Sequence, residues 1–84
     1  MESAQNWQMP VVLANAQAEA YVVVHNSFEA AAYLLDFWPK QDGEAFFEAI
    51  RLCADAMDGD VDEEEVRSAF LAAARDANIA VTLH

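Results

Sequence analysis

A chain of 84 residues has room for one domain and one core, and it buries only about three-fifths of the surface that its unfolded form exposes, which leaves little space for a deep cleft. An apolar share of 56% excludes a disordered chain, because such chains lack the apolar surface needed to offset ordering entropy. Fifteen acidic residues stand against 4 basic ones, a formal net charge of -11, which excludes a phosphate-neutralising surface for nucleic acid and disfavours an anionic membrane.

The first quarter of the chain reads as β structure. Trp7, Met9, Val11 and Leu13 alternate with Gln8, Pro10, Val12 and Ala14, the period of a half-buried strand. Pro10 has no backbone donor, so this strand is expected at a sheet edge, or with Pro10 on its unpaired side. Ala14 to Glu19 is polar, rich in alanine and without glycine, which predicts a loose connector rather than a two-residue turn. Tyr21 to His25 is β-branched and aromatic, the strongest strand signal in the chain. The two segments together suggest a hairpin.

Helices follow. Asn26 is placed to cap the first, with Glu29 at its third position in a box-like arrangement. Phe28, Ala31, Leu35 and Trp38 share one stripe, and Pro39 ends the helix. Asp42 is the expected cap of the second helix, whose stripe is Phe46, Ile50, Cys53, Ala54 and Met57, with Gly59 as a left-handed terminator. Asp62 caps the third helix with Glu65 reaching back to it, Val61 and Val66 act as a hydrophobic staple, and Glu63, Glu64 and Glu65 fill the first turn, where the helix dipole favours negative charge. Val66, Ala69, Phe70, Ala73 and Ala77 form its buried stripe. Asn78 suits a left-handed C-terminal position, and Ile79, Val81 and Leu83 alternate as a short final strand. The expected fold is α+β in the order ββαααβ, a small three-stranded sheet, antiparallel or mixed, packed against three helices so that every stripe is buried.

The pattern also resembles a known family. Trp7 with Pro10-Val11, Glu29-Ala30-Ala31 leading to Leu34-Leu35, then Trp38-Pro39, Gly43, Ala49 and Cys53, and finally Arg67-Ser68-Ala69-Phe70 with Ala73-Ala74 and Ile79 resemble the short bacterial proteins, mainly alphaproteobacterial, grouped as domain of unknown function 982. The resemblance spans nearly the whole chain, and its most specific elements are Trp38-Pro39 and Arg67 to Phe70. Ala14 to Glu19 matches no feature of it. The resemblance implies a small stand-alone cytoplasmic domain and passes on no catalytic or binding residue.

Chemistry-bearing motifs resolve to ordinary roles. The run Asp58-Gly59-Asp60-Val61-Asp62-Glu63-Glu64-Glu65 invites a calcium reading, but with Gly59 at the sixth loop position the first and third ligands become Ala54 and Ala56. Starting at Asp58 instead puts Glu63 where glycine belongs and Ala69 where the bidentate Glu belongs, so a helix cap with an acidic first turn is the better reading. Cys53, the single cysteine, cannot form an intrachain disulfide, and it sits late in a helix on the apolar stripe, the setting of a buried structural thiol rather than a nucleophile. His25 and His84 have no partners at metal-ligand spacing. Two glycines, Gly43 and Gly59, make no phosphate loop, and Ser3, Ser27 and Ser68 sit in no nucleophile elbow. Glu29, Asp36 and Glu48 are the carboxylates that could approach the core. No catalytic residue, cofactor or metal is expected.

The aromatic residues remain. Phe46 and Phe47 are adjacent, as are Phe37 and Trp38, so one narrow stripe cannot bury both members of either pair. Either sheet and helices cover both sides, the preferred expectation, or aromatic surface is exposed for a partner. The expected function is therefore a non-enzymatic protein-interaction or regulatory module, binding a protein partner or a second copy, with Trp7, Tyr21, Trp38 and Phe47 as the candidate binding residues. One alternative is small-molecule binding, or a minor enzyme activity, in a pocket between sheet and helices lined by Trp7, Tyr21, Trp38 and Cys53. A further alternative is acidic mimicry of nucleic acid. The N-terminus shows no basic and apolar signal pattern, and the longest strongly apolar run, Tyr21 to Val24, is far short of the ~20 residues a membrane span needs, so the expected compartment is the cytoplasm.

Overall fold

The computed structural model describes Trp7 and residues 9–15, 20–39 and 41–83. The element order is β1 (Val11–Asn15), β2 (Ala20–Val24), α1 (Ser27–Phe37), α2 (Glu44–Met57), α3 (Glu63–Asp76) and β3 (Val81–Leu83). The sheet order is β2-β1-β3, and both pairings are antiparallel. Val11 lies opposite Val24 and Leu13 opposite Val22 on one side of β1, and Val12 lies opposite Thr82 on the other.

The expected three-stranded sheet burying every stripe needs correction. In substance the sheet is a two-stranded antiparallel hairpin, five residues of β1 against five of β2, and the chain's end adds only a three-residue rung to the far side of β1. So short a rung offers little backbone pairing and little surface to cover helices. Of the two placements expected for the first strand, a sheet edge or Pro10 on its unpaired side, the edge is overturned. Pro10 precedes Val11, so the missing donor falls outside the ladder, and β1 runs down the middle. Trp7, Val11 and Leu13 point inward as the alternation predicts, but Met9 is exposed, because the segment before Val11 is not strand. Of the connector Ala14 to Glu19, Ala14 and Asn15 belong to β1, and residues 16–19 lie outside the described residues.

Helix ends follow local chemistry, with some exchanges of partner. The Asn26 side chain accepts from the Glu29 N–H at 2.9 Å, as expected of the cap. Glu29 reaches back one residue further than a capping box requires, accepting from the His25 N–H at 2.8 Å. Asp42 does not cap α2: Gly43 holds that position at φ 95°, a conformation that L side chains rarely adopt, and a Cβ there would meet Asp76 Oδ2 at 3.3 Å. Asp62 does hold the N-cap position of α3, but its side chain makes no capping bond; its carbonyl accepts from Glu65 and Val66. Gly59 at φ 81° and Asn78 at φ 61° end α2 and α3 as expected. Both ends are Schellman motifs: Asp60 N–H donates to Asp55 O and Gly59 N–H to Ala56 O, then Ile79 N–H to Ala74 O and Asn78 N–H to Arg75 O.

The stripe expected on α1 is rotated by about one residue. Ala30, Leu34 and Trp38 are buried with Ser27, while Phe28 and Leu35 are exposed. The cause is a polar anchor. The Glu63 carboxylate, in the first turn of α3, accepts from Ser27 N–H at 3.2 Å, from the Ser27 hydroxyl at 3.0 Å and from Trp7 Nε1 at 2.8 Å. Tying Ser27 to α3 turns the face of Ser27, Ala30 and Leu34 inward. On α2 the buried residues are Phe46, Ala49 and Cys53, with Ile50 half-buried and Ala54 and Met57 exposed. On α3 they are Val66, Phe70, Ala73 and Ala74, with Ala69 and Ala77 half-buried. Phe70 sits at the centre, its ring 5.9 Å from Trp7 and 5.3 Å from Trp38.

Removing the Glu63 carboxylate strands buried donors on two other elements. Glu63→Ala is expected to lower unfolding free energy by about 2–4 kcal/mol, and Glu63→Gln, which keeps one carbonyl acceptor, by less than half of that. Urea unfolding followed by tryptophan fluorescence measures both.

Candidate functional site

A concavity runs between the outer edge of β2 and α1. It measures about 270 Å³ and is lined by Val22, Val23, Val24, His25, Glu29, Ala32, Tyr33 and Phe37. Its position follows from the rotation of α1. With Ala30 and Leu34 turned into the core, the next face of the helix, carrying Glu29, Ala32, Tyr33 and Phe37, stands over the edge of the sheet. Phe37 stacks beside Tyr33, with ring centres 5.6 Å apart, and remains 66% exposed. Tyr33 also meets the buried Trp38 edge-on at 5.8 Å. One wall is therefore aromatic and the other a β-branched strand.

One end of the groove is polar. Glu29 Oε1 takes both the backbone N–H of His25 and its Nδ1, at 2.8 and 3.0 Å. The backbone hydrogen bond, and then the ring hydrogen bond, hold the Glu29 carboxyl below its ordinary value of 4.5.

The four residues expected to bind do not converge. Trp7 and Trp38 are buried on either side of Phe70. Tyr21 is 71% exposed on the outer face of β2, and Phe47 is 58% exposed on α2, edge-on to Phe46. The preferred expectation that sheet and helices would cover both members of each aromatic pair is overturned, since Phe37 and Phe47 face solvent while Trp38 and Phe46 do not. Sequence reading missed Ala32, Tyr33 and Glu29 as groove walls. The adjacency of Phe37 and Trp38 was the signal that one side of α1 had to expose an aromatic.

Cys53 is buried, and burial first, then the nearby negative charge of Glu63, pushes its thiol up to about 12. Among the described residues no group of three His, Cys, Asp or Glu is placed to hold a metal ion, and no helix is long and apolar enough to cross a membrane.

Two outcomes follow from these environments. At pH 8 the Cys53 thiolate is about a thousandfold scarcer than in an ordinary cysteine, so reaction with a disulfide reagent should track unfolding and accelerate with denaturant. Because the folded-state value of Glu29 is lowered, its contribution to stability is full above the ordinary 4.5 and is lost as pH falls through the folded value. Glu29→Gln should therefore be less stable than the parent at neutral pH, with the difference vanishing on acidification, as read from urea midpoints across a pH series.

A family model described as protein of unknown function (DUF982) matches residues 9–81. No curated protein and no solved structure matches the chain.

Proposed function

The chain belongs to the DUF982 family of proteins of unknown function, and from that premise we propose that it is a single-domain, cytoplasmic, non-enzymatic module for protein interaction. The open edge of β2 carries this reading. β2 pairs with β1 on one side, and among the described residues it has no strand on the other. An edge that is neither covered nor charged is a template for another chain, and here it lies beside an apolar groove. Exposed Tyr21, Phe28, Leu35, Phe37 and Phe47 add large apolar side chains on an acidic surface, a combination that suits a partner carrying positive charge. Of the candidate binding residues, Tyr21 and Phe47 serve as contacts, whereas Trp7 and Trp38 hold the core behind them. The groove is open and slightly smaller than ordinary small-molecule pockets, which favours a peptide over a metabolite.

The reading is tested by affinity capture from the source cell's own extract at low salt, beside an unrelated domain of matched charge. A stoichiometric protein should be retained by this chain, absent from the control, and lost from a Phe37→Ser, Phe47→Ser double variant that unfolds normally. Capture of nothing, together with a monomer in sedimentation, would overturn it.

A further inference from the structure

Resting on the interaction reading, we propose that β2 receives an extended, cationic and apolar peptide segment as an additional strand, seated between β2 and α1. The phase of the ladder shows which backbone groups are free for it. Ala14 N–H donates to Ala80 O across the β1–β3 side, so Ala14 and Val12 direct their peptide groups toward β3. By alternation Val11 and Leu13 direct theirs toward β2, where they meet Val24 and Val22. Val22 and Val24 are thus committed to the ladder, and the N–H and C=O of Tyr21 and Val23 point out of the open edge.

His25 lies just past the strand and is already paired on both sides, its N–H to the Glu29 carboxylate and its C=O to the Trp7 N–H at 2.6 Å. Glu29 and Trp7 thereby end the edge at His25, and among the described residues the outward groups of Tyr21 and Val23 meet no other strand. Ala20 to Val24 carries no proline and no charge to repel an incoming strand. Alternate side chains of a bound strand would fall on Val22, Val24, Ala32, Tyr33 and Phe37 on the groove side and beside Tyr21 and Val23 on the outer face.

Charge selects the occupant. The domain carries -11, and of the titratable groups lining the groove, Glu29, His25 and Tyr33, Glu29 is the acid. A second copy would bring another -11 to the same edge, whereas lysine or arginine on a peptide is drawn to it and can meet the Glu29 carboxylate.

The probe is an acetylated, amidated peptide of sequence KVTVRVK carrying a fluorophore, compared with EVTVEVE and titrated into the intact chain by anisotropy and amide NMR. The cationic peptide should bind at least about tenfold more tightly than the acidic one at low salt. The largest amide shifts should fall at Tyr21 and Val23. Ala32→Trp, which fills the groove from an exposed helix position, should reduce affinity at least about tenfold, and Val23→Pro, which removes an edge donor, should do the same. Cationic binding that both variants retain, or that shifts amides elsewhere, would overturn strand addition while leaving the interaction reading intact. A β2-mediated dimer in sedimentation, abolished by Ala32→Trp, would also overturn it by making a second copy the occupant. Failure of both peptides beside continued capture of a cellular partner would sink this proposal alone.

Discussion

The Glu63 carboxylate is the constraint on which the rest of the structure depends. Three donors converge on it, the indole N–H of Trp7, the backbone N–H of Ser27 and the Ser27 hydroxyl. They come from the approach to the hairpin and from the start of α1, and Glu63 opens α3, so one acid joins three parts of the chain separated widely in sequence. A half-buried carboxylate is stable there because each bond replaces one to water, and a charged acceptor makes stronger bonds than a neutral one. The position at the start of a helix adds the favourable end of its dipole. The same charge discourages ionisation of the buried Cys53 thiol, which keeps that residue a packing group.

From this tie the core follows. Ser27 held against α3 goes with a rotation of α1 that presents Ala30, Leu34 and Trp38 to the core rather than Phe28 and Leu35. The two tryptophans around Phe70 are not equivalent. Trp7 satisfies its N–H on Glu63, whereas Trp38 Nε1 is buried without a hydrogen-bond partner among the described residues. An orphaned donor of this kind costs about 1–3 kcal/mol, which the tilted and edge-on contacts of Trp38 with Phe70 and Tyr33 offset. The rotation that builds the core also creates the groove, since the face left outside is the one that overhangs β2.

An open strand edge beside exposed aromatics is normally a hazard for aggregation. In this chain the net charge of -11 supplies the protection that β2 itself lacks, because copies repel one another while a cationic segment is attracted. Acidity therefore offsets part of the aggregation hazard that exposed apolar surface and an edge strand carry.

The sequence by itself determined the order of elements, the Asn26 cap, the left-handed ends at Gly59 and Asn78 and the burial of Val66, Phe70 and Ala73 on α3, because each depends on interactions within a few residues or on a strong local period. It also carried the family, through residues matched along most of the chain. Tertiary structure decided what local rules leave degenerate. The α1 sequence left its buried face open, and long-range contacts selected it, among them the bond from Ser27 to Glu63, 36 residues away, and the burial of Ala30 and Leu34. The cap of α2 passed from Asp42 to Gly43 because α3 approaches there, with Asp76 close to the glycine. The partner of β1 on its far side, and hence which strands form the sheet's edges, depended on where the last three strand residues return, a choice made by packing across the whole domain. The groove belongs to this second class: its walls, Val22 to Val24 on β2 with His25 after it, and Glu29 to Phe37 on α1, are neighbours in space only once the helix has packed.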